Sequence, residues 1–131
     1  MATVLIKTDS HFFVDRSRIN KVIDTCLSEK KFKRKVEISI NIVGDRKMRE
    51  MNRKFRNIDE TTDVLSFPMQ EEKRTDAPFV DPPDEILRLG DILISYPQVV
   101  DDASVENKLV DEKIDELIRH SMDHLLGIHH E

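Results

Sequence analysis

Val36-Glu37-Ile38-Ser39-Ile40-Asn41-Ile42 alternates apolar and polar side chains without a break. A period of two puts the branched residues on one side of an extended chain, so this stretch is a strand with one buried face. On both sides the pattern changes to the helical period. Upstream, Ile19, Val22, Ile23, Cys26 and Leu27 recur at i, i+3, i+4, i+7 and i+8 behind Asp15 or Ser17, either of which can cap a helix. The basic run 30–35 is the exposed exit of that helix. Downstream, Gly44-Asp45 turns the chain, and Asp45 is placed to cap a helix. That helix turns Met48, Met51 and Phe55 inward and carries Arg46, Lys47, Arg49, Arg53 and Lys54 on its other faces.

A half-buried strand needs partners. Val4-Leu5-Ile6 is a short one, Val64 to Phe67 a second, stopped by Pro68, and Leu89 to Ser95 a third, apolar enough to be central. Tyr96-Pro97 then opens a helix to about Lys108, with Val99, Val100 and Ala103 inward. A last helix from about Leu109 to Leu126 buries Val110, Ile114, Leu117 and Leu125. Residues 69–88, with two acidic runs and Pro78, Pro82 and Pro83, show no periodicity and read as a mobile surface loop. The count is about four strands and about four helices in a single domain, 1–131, with no repeat and no linker.

Hydrophobic residues make up 38% and charged residues 36%, a balance that suits a folded, helix-rich domain with one core. Cys26 has no intramolecular partner, which favours a reduced, cytoplasmic setting. Met1 to Lys7 has no signal-peptide layout, and no run approaches a membrane span, so no membrane partner is expected. The net charge of −5 is unevenly spread. Residues 1–60 hold fifteen Lys and Arg against nine Asp and Glu; residues 61–131 hold six against seventeen. A polyphosphate strand would be drawn to the first half, although a charge run alone is more often a solvated face.

The last helix ends in His120-Ser-Met-Asp-His124-Leu-Leu-Gly127-Ile-His129-His130-Glu131, which holds four of the five histidines. His120 and His124 lie one turn apart on one face, at the margin of the apolar stripe and beside Leu117, with Asp115 and Arg119 pointing away. Gly127 suits a left-handed turn that ends the helix and returns a third imidazole, His129 or His130, toward the pair. Three neutral imidazoles with an open position are a ligand set typical of one catalytic zinc ion, and the negative end of a helix favours a cation. A surface histidine pair or the remnant of a purification tag explains this spacing less well.

His-x3-His-x2-Gly-x2-His, preceded by Arg56-x6-Asp63-Val-Leu-Ser-Phe-Pro68 and by Leu89-Gly90-Asp91-Ile-x-Ile-Ser95, resembles the YbeY family of ribosomal-RNA maturation endoribonucleases. The three motifs stand in the family's order, and the resemblance covers nearly the whole chain. It implies an α+β fold with a small mixed sheet surrounded by helices. It also implies zinc on His120, His124 and His130, and a cleft arginine at Arg56 associated with the RNase activity. Asp63 to Pro68 and Gly90-Asp91 match segments that build the sheet and the cleft floor. The departures are Ser121 for a glycine, Asp123 for a leucine and His129 for an aspartate, and the match stops at Glu131 without the family's acidic tail.

The activity so implied is zinc-dependent, single-strand-specific cleavage of RNA in processing and quality control of the small ribosomal subunit, with that subunit and its RNA as partners. Zinc lowers the pKa of water and polarises a phosphoryl oxygen, while Arg56 offers a planar charged fork for phosphate, with Arg53 and Lys54 guiding the strand. The phenylalanines read as core, leaving only Tyr96 spare, so recognition through the backbone rather than the bases is expected. One rival is a metalloprotease. Metzincins need a glutamate where Ser121 stands, and an inverted zincin would nominate Asp123 as base. Another is a non-enzymatic ribosome assembly factor whose zinc is structural, closed by a fourth ligand such as Glu131.

Overall fold

The computed structural model describes residues 2–9, 11–69 and 86–128, which form four strands and four helices. In order these are β1 (Ala2–Thr8), α1 (Arg16–Glu29), β2 (Val36–Val43), α2 (Asp45–Arg56), β3 (Val64–Pro68), β4 (Leu87–Ser95), α3 (Tyr96–Glu106) and α4 (Val110–Ile128). The sheet order is β1-β2-β4-β3. β1 and β4 run parallel to β2, while β3 runs antiparallel to β4 and forms the outer edge. The mixed sheet and the α+β class are as expected, and β4 is central.

The alternation in β2 divides the molecule. Val36, Ile38, Ile40 and Ile42 join Leu89, Ile92 and Ile94 of β4 under α1 and α4, in the larger apolar cluster. The opposite face offers a smaller patch, Val43, Leu65 and Leu93, which Met48 of α2 covers with help from Met51 and Phe67. α1 and α4 therefore lie on one side of the sheet and α2 on the other. α1 begins as its sequence says, with Asp15 accepting from the Arg18 amide.

Several boundaries differ from expectation, each for a local reason. β4 starts at Leu87, where the Leu87 amide reaches the Lys35 carbonyl and extends the ladder to β2. Residues 70–85 of the expected loop lie outside the described residues. α3 stops at Glu106 because Asn107 takes the left-handed conformation at φ 57°, which a short polar side chain tolerates. α3 buries only Val99 and Ala103, and Val100, expected inward, is 41% exposed. Asp45 is the first helical residue of α2 rather than its cap, which is Gly44. Its carboxylate instead accepts from the hydroxyls of buried Ser95 at 2.7 Å and Thr61 at 3.0 Å. That bond ties the start of α2 to the start of α3.

At Gly90 the backbone has φ 141°, beside a bulge in the β2–β4 register at Glu37/Ile38. A β-carbon there would run into the Phe67 carbonyl of β3. Only glycine lets the edge strand pair this closely.

Candidate metal centre and cleft

α4 has three working sides. Ile114, Leu117, Ile118, Ser121, Met122 and Leu125 face the core. Asp115, Arg119 and Asp123, four residues apart, form a ladder to α1. Arg18 meets Asp115 at 2.8 Å, Glu29 meets Arg119 at 3.0 Å, and Lys30 meets Asp123 at 3.7 Å. The remaining flank carries Lys113, His120 and His124. Lys113 is buried and reaches Glu106 of α3 at 2.9 Å and Glu116 at 2.6 Å, and these two carboxylates push its ammonium pKa up. Lys108 and Lys113 together hold Glu116 down at about 2. α4 is thus fixed by core, α1 and α3 while its histidines project outward.

His120 and His124 are both exposed, and neither makes a hydrogen bond to any residue among those described. Two imidazoles one turn apart on a braced helix could supply two of the four ligands of a tetrahedral site. The helix continues through Gly127 to Ile128, so the expected left-handed turn at Gly127 does not form; a β-carbon there would meet nothing. His129 and His130 lie outside the described residues. Among the described residues no third His, Cys, Asp or Glu joins the pair to complete a metal cluster.

The geometry speaks against the protease alternatives. Ser121, at the position where a metzincin carries its base, is 1% exposed and points into the core. Asp123, the base of an inverted site, turns to Lys30 on α1. Neither side chain shares the histidine flank.

Arg56 is the last residue of α2, exposed and with no hydrogen bond or ion pair among the described residues. Asn57 ends the helix there at φ 59°, its amide donating to the Arg53 carbonyl and that of Ile58 to the Asn52 carbonyl. The loop that follows is pinned. Arg49 grips Asp59 with two bonds, 2.9 and 3.2 Å, and this pairing holds the Asp59 carboxyl below its ordinary range. Buried Asn52 donates to the Glu60 carbonyl at 2.8 Å. Arg46, Arg49 and Arg53 line a groove along this helix. Arg56 and the histidines stand on elements that cover opposite faces of the sheet; no hydrogen bond or ion pair among the described residues joins them.

The sequence model described as "Endoribonuclease YbeY" matches residues 6–131. The proteins called Endoribonuclease YbeY include one from Dehalococcoides mccartyi, 37% identical over 133 residues that cover 98% of this chain and 83% of the relative. Another, from Roseiflexus sp., is 36% identical over 91% of this chain and 72% of the relative. The Clostridioides difficile protein is 33% identical over 87% and 71%. A Thermotoga maritima protein with a solution structure superposes with a TM-score of 0.58 at 25% identity, covering 95% of this chain and 73% of that one.

The chain belongs to the YbeY endoribonuclease family.

Several residues that brace the α2–α3 side of this YbeY-family chain have roles their sequence pattern does not give. Asp63, which opens β3, makes a hydrogen bond with Asp102 of α3; burial first, then Asp63, raises the Asp102 pKa. Asn52 looks like an ordinary helix polar residue in the sequence and Asp45 like a cap, yet they lock the 57–63 loop and the α3 start. The Asp45–Ser95 and Asn52–Glu60 bonds, fifty and eight residues apart, reveal this. Phe55, expected inward, is 55% exposed, and Tyr96 is not spare but stacks on Phe12 at 4.8 Å.

Proposed function

We propose that this chain is a zinc-dependent endoribonuclease that cuts single-stranded regions of small-subunit ribosomal RNA in the cytoplasm, as part of ribosome maturation and quality control. The observation that carries the reading is the pair of free, exposed imidazoles on the braced flank of α4, in a chain of this family. His120 and His124 would hold the ion, with His130 as third ligand. When bound, zinc supplies a Lewis acid for the phosphoryl oxygen and lowers the pKa of water toward neutrality.

The chain's own residues do the rest. Arg56 presents a permanently charged fork for a backbone phosphate of the bound strand. Arg53 and Lys54 attract the neighbouring backbone. The pinned 57–63 loop keeps Arg56 from paying an ordering cost at each turnover. No helix among the described residues is long and apolar enough to cross a membrane.

The test is cleavage of ribosomal RNA by purified protein beside Arg56→Ala and His120→Ala, each with metal analysis. Wild type is expected to cut and both variants to fail, with metal lost only from His120→Ala. Equal cutting by all three, or none by a fully zinc-loaded wild type, would sink the proposal and favour a structural zinc in an assembly factor.

A further inference from the structure

Phe55 lies on the same side of α2 as Met48 and Met51, yet those two are covered by the sheet and Phe55 is not. The reason is geometric. β3 is an edge strand, with no further strand beyond it among the described residues, and Phe55 at the carboxyl end of α2 meets its Phe67. Among the described residues Phe67 of β3 is the ring set against it, with centroids 5.1 Å apart and planes 57° from each other. Lys54 places its ammonium 5.4 Å from the Phe55 centroid, and Arg56, the next residue, is exposed without a described partner. An aromatic ring held partly out of the surface beside one cation and next in sequence to another is complementary to a nucleotide, whose base is flat and whose phosphate is anionic.

We propose that Phe55 is a stacking platform for one base of the single-stranded RNA, with Lys54 and Arg56 taking the adjoining phosphates. This rests on the endoribonuclease reading and adds to it a residue that contacts the bases. Phe67 props the ring from one side, and Arg49–Asp59 and Asn52–Glu60 hold the segment behind it, so the platform is formed before RNA arrives. Every base has such a face, so the contact tolerates any sequence while distinguishing an unstacked strand from a duplex.

The experiment measures binding by fluorescence anisotropy to the full chain in EDTA, so that cleavage does not consume the probe. The probes are a labelled oligouridylate of about ten nucleotides and the same oligomer with abasic sites in place of its bases. Phe55→Leu keeps an apolar contact with Phe67 but has no ring. It is expected to weaken binding of the base-bearing oligomer about ten-fold and to leave the abasic one unchanged. Equal loss on both probes, no loss, or no binding of either by wild type overturns the proposal.

Phe55→Trp supplies a second readout should the leucine variant fail to fold, because the chain has no tryptophan. Quenching by the base-bearing but not the abasic oligomer supports stacking; no base-dependent quenching, as for a ring that serves a protein partner, overturns it. Cleavage by wild type with binding by Phe55→Leu unchanged removes the platform and leaves the activity. Base-dependent binding without cleavage does the reverse.

Discussion

Gly90 shows how far a single missing β-carbon can decide a sheet edge. Its φ of 141° and the Phe67 carbonyl beside it forbid a side chain for two separate reasons. Gly90→Ala is therefore expected to cost about 3 kcal/mol and to lower the melting temperature on the order of 10 °C. A thermal melt indistinguishable from wild type would mean that β3 can move away freely. The pairing of His120 with His124 was legible because four residues along a helix is a local relation. The exposure of Phe55 was not, because a helical wheel gives the side a residue faces and not where the sheet beneath it ends. Asp45 misled for a related reason. Its position suits a cap, but the buried hydroxyl of Ser95, fifty residues away, takes its carboxylate.

Elements are fixed here by charge pairs whose pH dependence runs in opposite directions. On the α3–α4 side, Lys108 and Lys113 depress Glu116 to about 2, from 4.5. A depressed carboxylate stabilises the fold above its unfolded pKa, and that contribution fades as pH falls from 4.5 toward 2. Asp102 is raised, so the native state binds its proton more tightly than the unfolded chain does. Its contribution is fully favourable below 3.8 and declines as pH rises through the native pKa. Asp102→Asn keeps a group able to hydrogen-bond Asp63. It is expected to remove that decline and leave the protein more stable than wild type at neutral pH. Urea titrations of both proteins across the acid range check this; parallel stability curves would show that the Asp63–Asp102 pair carries no charge cost. α4 itself was read almost correctly from its apolar period. Its extension past Gly127 was not foreseen, since a glycine that can end a helix is not obliged to, and here nothing crowds it in the helical form.

For the molecule as a whole, the core closes without help from the histidines. The two apolar clusters lie on either face of the sheet, and His120 and His124 belong to neither. EDTA is therefore expected to abolish cleavage while leaving the far-ultraviolet circular dichroism and cooperative unfolding in place. Unfolding on chelation, as in small domains built around a structural zinc, would contradict this. The architecture was legible because the alternation of β2 and the periods of α1 and α4 are strong and agree with one another. Strand order and the division of helices between faces depend on which strands pair, which no single stretch encodes. α4 also has a place in time. Ile114, Leu117, Ile118, Met122, Leu125 and Leu126 are synthesised after β2 and β4, the strands whose apolar cluster they complete. Chains fold as they emerge, at about 5–20 residues per second, but this one lacks the roof of its core until α4 is released. The helix that completes the core also bears the histidine pair, so a nascent chain stalled before α4 has neither a closed core nor the two imidazoles. Closure of the core and presentation of the histidine pair are thereby one event in the synthesis of the chain.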